Sequence, residues 1–176
     1  MWLNITILSL VTLQRAAELY IAHRNTKRLL AKGGFELGSN HYPLIVALHT
    51  LWLAGLWYLV IYQAPLAQMP WIYAYLVLEA ARGWVIAALG SRWTTRIIVV
   101  PGEQLVDQGP YKYVRHPNYI VVACEIFILP MAFGLWWYAL IFGALNLAVL
   151  WWRIRAEDEA LKPLREPAQP PELPEA

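Results

Sequence analysis

Five long apolar runs, at residues 2–20, 43–62, 71–90, 119–133 and 136–152, constrain the fold more than any other feature of this sequence. A helix needs about 20 mostly apolar residues to cross the hydrocarbon core of a bilayer. Hydrophobic residues make up 59% of the chain and charged residues 15%, whereas about a quarter of a typical soluble domain is charged. The sequence therefore predicts an all-α, integral membrane bundle of five transmembrane helices.

The last two apolar runs are shorter than the others and are separated only by Gly134 and Leu135. We therefore expect them to form a tight helical hairpin. Residues 1–162 are predicted to form a single transmembrane domain. The acidic, proline-rich segment 163–176 has the composition of a disordered tail.

Basic residues occupy every second loop. The segments after the first, third and fifth runs are basic, while the links after the second and fourth runs carry no charge. The basic residues are Arg24, Lys27, Arg28, Lys32, Arg92, Arg96, Lys112, Arg115, Arg153 and Arg155. Because cytoplasmic loops carry an excess of Lys and Arg, this pattern predicts an external N-terminus and a cytoplasmic C-terminus.

Charge and cysteine content exclude several classes of function. The formal net charge of +2 is too small to indicate nucleic-acid binding. Cys124 is the sole cysteine of the sequence and lies inside an apolar run. A disulfide within the chain and a cysteine-based zinc cluster are therefore excluded, and no metal site is expected.

Ionisable residues inside the apolar runs require an explanation, because each costs about 2.5–3.5 kcal/mol on membrane-insertion scales. Arg15 and Glu18 are three residues apart, as are Glu79 and Arg82, so each set can pair on one helix face. Glu125 has no partner close in sequence and should face the bundle interior. The sequence leaves open whether Glu125 contacts a substrate or pairs with Arg82.

The stretch G-P-Y-K-Y-V-R-H-P-N-Y at residues 109–119 concentrates groups that can bind a charged small molecule. Its first two residues mark a turn, and Pro117 disfavours the helical conformation at His116. The fourth run therefore begins at a rigid corner, beside free backbone N–H groups and the partial positive charge of a helix start. With Arg115 and the tyrosine rings, this corner can hold a ligand that has an anionic group and an aromatic base. The alternative is a basic anchor at the membrane surface.

A second cluster, R-I-R-A-E-D-E at residues 153–159, follows the last run. Arg153 and Glu157 are four residues apart and therefore share a helix face. The forked guanidinium can orient a carboxylate or enolate, and the carboxylate can accept hydrogen bonds from an ammonium group or from hydroxyls. Because a hairpin returns the chain to the side from which it left, we expect both residues to lie near His116. The alternative is an exposed ion pair at the helix end.

Together the two motifs resemble the isoprenylcysteine carboxyl methyltransferase family, whose members are integral membrane enzymes that use S-adenosyl-L-methionine. The resemblance covers about residues 96–161. In the N-terminal half, Q-R-A-A-E-L-Y-I-A-H-R-N and S-N-H-Y-P-L-I-V-A-L-H-T resemble a bacterial subgroup that methylates alkylpyrones made by type III polyketide synthases. The resemblance implies a lipophilic small-molecule substrate and a bacterial inner or plasma membrane location. The loop charges alone predict that both motifs, and with them the active site, face the cytoplasm.

The resemblance also implies roles for individual residues. The cofactor would be held by Gln104, Leu105, Val106, Tyr111, His116, Pro117, Asn118, Tyr119 and Glu157. Arg153 would be catalytic, on the substrate side, and Glu125 and Arg82 are further candidate substrate contacts. The chain departs from the family pattern at Val121, where glycine is usual, and at Asp158 in the acidic pair, and it lacks a tyrosine-rich C-terminal segment. These departures weigh against a protein-borne prenylcysteine substrate.

The expected reaction is in-line methyl transfer from a sulfonium to a carboxylate or acidic hydroxyl of a lipophilic molecule, such as an alkylpyrone or a prenylcysteine-like lipid. Such an oxygen is largely ionised near neutral pH, so positioning, which can supply ~7–11 kcal/mol, replaces a strong general base. There are two alternatives. Membrane reductases of the sterol reductase type have a similar R-H-P-N-Y corner and bind NADPH, whereas a small membrane scaffold would bind no cofactor.

Overall fold

The computed structural model describes residues 1–165, and the predicted tail lies outside the described residues from position 166 onward. Five α-helices make up most of this described chain. They are α1 (Trp2–Ala31), α2 (Tyr42–Gln63), α3 (Met69–Leu89), α4 (Pro117–Ala132) and α5 (Trp136–Arg165). Short 3-10 turns occupy Ser39–His41, Gly90–Arg92 and Gly109–Lys112.

Among the described residues, four helical segments are long and apolar enough to cross a membrane: Trp2–Ala31, Tyr42–Gln63, Met69–Arg92 and Trp136–Lys162. The remaining apolar helix, α4, has 16 residues and is about 24 Å long at 1.5 Å per residue, somewhat less than the roughly 30 Å of a bilayer core. The prediction of an all-helical membrane bundle is thus confirmed for four of the five expected spans.

Helices α1 and α5 both continue beyond their predicted apolar ends. Helix α1 ends at Ala31 rather than at residue 20, because its polar second half contains no glycine or proline before Gly33 and still buries Asn25 and Leu29. Helix α5 continues past residue 152 to Arg165, three residues into the segment predicted as tail. The two polar helix ends extend the bundle beyond the apolar zone.

A small antiparallel sheet is present that was not predicted from the sequence. Strand β1 (Phe35–Leu37) pairs with strand β2 (Ile97–Val99) in the register Phe35↔Val99 and Leu37↔Ile97. The run of β-branched residues in β2 favours an extended strand, but three residues are too few to identify its distant partner from sequence. The sheet fastens the loop after α1 to the loop after α3.

The apolar core lies at the end of the bundle remote from these loops. It contains Leu8, Val11, Trp52, Leu56, Val60, Tyr75, Ile126, Leu129 and Phe133. Two hydrogen bonds tie helices together here: Trp52 Nε1 donates to the Ile126 carbonyl at 3.1 Å, and Tyr138 Oη donates to the Trp52 carbonyl at 2.8 Å. With one end closed by this packing, the space that remains for a ligand lies among the polar loops.

Gly55→Ala should lower the thermal unfolding midpoint of the purified protein in detergent. A methyl group at this position would overlap the Tyr138 hydroxyl, and overpacking costs about 1–3 kcal/mol. Gly83→Ala is the matched control, because nothing lies within 4 Å of its added Cβ. Alanine favours a helix by about 1 kcal/mol over glycine, so the control midpoint should stay level or rise. Equal midpoints for the two variants would contradict this packing of α2 on α5.

Candidate active site

A cavity of about 650 Å³ begins among the polar loops and reaches into the bundle. Its volume is within the range of small-molecule sites, roughly 300–1,000 Å³. The predicted site residues on its wall are Gln104, Leu105, Val106, Tyr111, His116, Asn118, Tyr119, Arg153, Glu157, Arg82 and Glu125. Pro117 is instead buried in the first turn of α4. Residues separated by many positions in the sequence therefore surround one space.

The Tyr119 hydroxyl joins Arg153 to Glu157. Arg153 Nε donates to Tyr119 Oη at 2.9 Å, and the tyrosine in turn donates to the Glu157 carboxylate. Arg153 Nη2 also donates to the Thr95 carbonyl at 2.7 Å. Arg153 is only 6% exposed, so the alternative of an exposed Arg153–Glu157 ion pair is wrong. The sequence carries no signal that a tyrosine from another helix lies between them.

His116 connects the two predicted motifs. Its Nδ1 lies 3.7 Å from Glu157 Oε2, and its Nε2 lies 3.2 Å from Asp158 Oδ1. The imidazole also stacks on the Tyr119 ring, with 5.6 Å between the ring centroids. The expected approach of Arg153 and Glu157 to the 109–119 stretch is therefore confirmed.

The start of α4 has the predicted non-helical corner. His116 has φ −129° and ψ 58°, and Pro117 begins the helix. The Asn118 Oδ1 and Trp93 Nε1 atoms are buried without a hydrogen-bond partner in the described part of the chain, and both residues line the cavity. A buried polar group left unpaired costs about 1–3 kcal/mol, so these atoms favour a polar ligand at this end. The sequence carried no signal that singled out Trp93.

Gly109 and Tyr111 show why the turn before α4 has this sequence. Gly109 has φ +58°, and a Cβ there would lie 2.9 Å from the Ala88 Cβ, so both backbone conformation and space require glycine. Burial and the nearby Glu157 charge raise the pKa of the Tyr111 hydroxyl. Tyr111 is therefore a protonated hydrogen-bond donor on the cavity wall.

The segment that contains Gln104, Leu105 and Val106 is held by ion pairs. Arg92 Nε lies 3.1 Å from Glu103 Oε2, and Arg92 also donates to the Gln104 carbonyl. Lys32 Nζ lies 3.3 Å from Glu103 Oε1. Each exposed pair adds little stability, about 0–1 kcal/mol. Their effect here is to hold the loop against the ends of α1 and α3.

A buried network of charges forms the inner end of the cavity. Arg15 Nη1 lies 2.8 Å from Glu18 Oε2, which confirms that predicted pair. Arg15 Nη2 lies 2.6 Å from Glu125 Oε2, and Arg82 Nε donates to Glu125 Oε1 at 2.6 Å. Of the two alternatives for Glu125, pairing with Arg82 is observed. A substrate contact for these residues stays a prediction, since both also line the cavity.

The predicted Glu79–Arg82 pair is wrong. Arg82 pairs with Glu125 and, at 3.4 Å, with Glu18, while Glu79 accepts a hydrogen bond from Gln14 Nε2. Spacing along one helix shows which residues can pair. The actual partners depend on which helices pack together, and α3 packs against α4.

The fold and the site define an integral membrane protein with a ligand-sized cavity at one end of a helical bundle. Residues 71–163 match the sequence profile of the isoprenylcysteine carboxyl methyltransferase (ICMT) family. YpbQ of Bacillus subtilis, an uncharacterized protein, is 38% identical over 164 residues, which cover 92% of this chain and 96% of YpbQ. An uncharacterized protein of Haemophilus influenzae is 27% identical over 172 residues, 93% of this chain and 97% of its own length. No solved structure matches the chain.

The chain therefore belongs to the isoprenylcysteine carboxyl methyltransferase family, as its two motifs predicted. It is a membrane methyltransferase, from a family that uses S-adenosylmethionine as methyl donor and acts on lipophilic substrates.

Glu125→Gln should destabilise the protein by roughly 3–5 kcal/mol, because it leaves the guanidinium groups of Arg15 and Arg82 with Glu18 as their one remaining carboxylate partner in the network. Glu36→Gln is the matched control. Glu36 pairs with Arg96 at 2.7 Å on the exposed sheet, and loss of such a pair should cost about 0–1 kcal/mol. Thermal unfolding in detergent measures the loss of stability in both variants. Equal losses would mean that the network is not the tie between α1, α3 and α4 that its geometry indicates.

Proposed function

We propose that this protein is an S-adenosylmethionine-dependent O-methyltransferase. Its acceptor is a carboxylate or an acidic hydroxyl of a lipophilic small molecule, of which an alkylpyrone or a prenylcysteine-like lipid is an example. The observation that carries the proposal is the Arg153–Tyr119–Glu157 chain of hydrogen bonds on the wall of a cavity that is otherwise largely apolar. Arg153 provides a fixed cation for the anionic oxygen of the acceptor. Beside it, Glu157 provides a carboxylate for the polar cofactor.

The cofactor half of the site contains suitable donors and acceptors. S-adenosylmethionine supplies an electrophilic methyl group on its sulfonium. The residues that would hold the cofactor are Gln104, Leu105, Val106, Tyr111, His116, Asn118, Tyr119 and Glu157, with Pro117 shaping the corner. Glu157 can accept hydrogen bonds from an ammonium group or from hydroxyls. The unpaired Asn118 Oδ1 and Trp93 Nε1 atoms add an acceptor and a donor.

Arg153 is suited to orient the methyl acceptor. Its Nε and Nη2 atoms are held by Tyr119 and by the Thr95 carbonyl, whereas Nη1 has no protein acceptor in the described part of the chain. The guanidinium can therefore direct an anionic oxygen without moving itself. Because the same contact also stabilises the bound anion before reaction, the contribution of Arg153 is orientation as well as charge.

The lipophilic part of the acceptor has a path to the bilayer along α2. Tyr42, Val46 and Thr50 line the cavity and also line a second, shallower pocket on the outer surface of α2. These residues are four apart and form one stripe of the helix. An alkyl or isoprenoid chain lying on this stripe stays in contact with apolar surface from the site to the lipid.

We further propose the membrane topology that the loop charges indicate. The N-terminus is external and the C-terminus cytoplasmic, and α4 and α5 form a hairpin that returns the chain to the cytoplasmic face. Residues 1–162 then form one transmembrane methyltransferase domain. The active site faces the cytoplasm of a bacterial inner or plasma membrane, where S-adenosylmethionine is made available by metabolism.

Arg153→Ala should abolish turnover and leave the affinity for S-adenosylhomocysteine within about threefold, because it removes the acceptor-orienting cation. Glu157→Ala should weaken S-adenosylhomocysteine binding by roughly 10–100-fold, since a charged hydrogen bond contributes about 1.5–3 kcal/mol. Arg155→Ala is the matched control: Arg155 is exposed on the same helix and lies over the Trp151 ring. The assays are isothermal titration in detergent and methyl transfer to an alkylpyrone or a prenylcysteine analogue.

Three outcomes would count against the proposal. Equal loss of binding and turnover in Arg153→Ala would contradict the division of roles. Binding of NADPH instead of S-adenosylhomocysteine would favour a membrane reductase of the sterol reductase type. Binding of neither, with His116→Ala tolerated in all assays, would favour a non-enzymatic membrane scaffold.

Cysteine labelling tests the topology. In a Cys124→Ala background, Leu66→Cys places a thiol at an 83%-exposed position in the neutral loop, and Lys27→Cys places one at an exposed position in the first basic segment. A membrane-impermeant maleimide added to intact cells should label residue 66, and residue 27 only after permeabilisation. The reverse pattern would place the site outside the cytoplasm.

A further inference from the structure

The inner end of the cavity is polar. A cavity that accepted only a hydrocarbon chain would not need polar groups there. Arg15, Glu18, Arg82 and Glu125 all line it. A buried ion network is often no more stabilising than well-packed apolar residues. Three members are almost completely buried, but the Arg15 side chain keeps 21% of its surface accessible. Its Nη atoms are used by Glu18 and Glu125, and Nε has no acceptor among the described residues.

His49 lies at the same end of the cavity, on α2. Its Nδ1 is 2.9 Å from the Ile45 carbonyl, and because a carbonyl oxygen can only accept, Nδ1 is the donor. In the neutral ring Nε2 is then a hydrogen-bond acceptor. The described structure has no other partner for the imidazole, and His49 is half-buried on the cavity wall. The charged groups that act on the ring are Arg15, Arg82 and Glu125.

The depth of this polar end follows from the helices. Tyr42 Oη lies 3.1 Å from Thr95 Oγ1, and the Thr95 carbonyl accepts from Arg153, so the first turn of α2 lies beside the Arg153 corner. His49 is seven residues further along α2, about 10 Å at 1.5 Å per residue. Glu125 is six residues after Tyr119 on α4, about 9 Å. Both helices thus place the second polar layer at the same depth.

Apolar side chains separate the two polar layers. Val46, Val122 and Leu150 line the cavity between them. A ligand that reaches from Arg153 to His49 is therefore lipophilic along its middle and polar at both ends. At the inner end it meets an acceptor, His49 Nε2, and a donor, Arg15 Nε. A hydroxyl group can serve both kinds of partner.

From this arrangement we infer a second polar subsite, formed by His49 and Arg15, that binds a hydroxyl group of the methyl acceptor about 10 Å from the oxygen that receives the methyl group. This inference rests on the proposed O-methyl transfer and deepens it. The acceptor is then a bifunctional lipid, with an acidic oxygen at Arg153 and a neutral hydroxyl further into the bundle. His49 is a specificity-determining residue for that hydroxyl.

Two matched acceptors test the subsite: a 4-hydroxy-6-alkyl-2-pyrone, and the same compound with one hydroxyl on its alkyl chain about 10 Å from the reactive oxygen. The full-length enzyme should prefer the hydroxylated probe by roughly 3–10-fold in kcat/KM, mainly through KM, as a net hydrogen bond provides. His49→Phe should remove this preference, so that kcat/KM for the two probes becomes equal within about twofold. His49→Gln, which keeps an acceptor oxygen, should retain part of it.

The control is His23→Gln, because His23 is exposed on α1 and away from the cavity lining; it should leave the preference intact. Titration with S-adenosylhomocysteine in each variant reports folding and cofactor binding separately. Equal kcat/KM for the two probes in the wild-type enzyme, or a preference unchanged in His49→Phe, would overturn the subsite alone. Methylation of neither probe, with S-adenosylhomocysteine still bound, would overturn this inference alone. Loss of S-adenosylhomocysteine binding by the wild-type enzyme as well would overturn the proposed function and this inference with it.

Discussion

The buried network of Arg15, Glu18, Arg82 and Glu125 is the interaction on which the rest of the bundle depends. It joins α1, α3 and α4 at mid-depth. An unpaired charge there costs far more than an apolar mismatch, so the network strongly favours one relative register of the three helices. The same register places Tyr119, at the start of α4, against α5 and its Arg153.

The network also divides the bundle into two unlike halves. On one side Leu56, Ile126, Leu129 and Phe133 form a closely packed core. On the other side the helices surround a cavity whose walls carry the site residues. A site that must take both a polar cofactor and a lipid acceptor needs a rigid base and an opening to lipid. The closed core provides the rigid base, and the α2 stripe that begins at Tyr42 provides the opening to lipid.

The helices were largely predicted from the sequence, whereas the strand pairing and one ion pair were not. The apolar runs identified four spans and the shorter α4, because a long hydrophobic stretch can be recognised without knowing which helices pack against it. The β1–β2 pairing was missed because three-residue strands carry little local signal and their partners lie about sixty residues apart. The Glu79–Arg82 pair was wrong for a related reason: spacing along one helix cannot show that Glu125, on α4, is nearer in space.

The sequence alone determined the class of fold, the two motifs and the family, since composition, run length and motif spacing are properties of the chain itself. The tertiary structure decided how these parts interact. It placed the Tyr119 hydroxyl between Arg153 and Glu157, gave Glu125 two arginine partners, and brought His49 to the inner end of the cavity. Each of these depends on which faces of separate helices meet, and that is set by packing in three dimensions rather than by order along the chain.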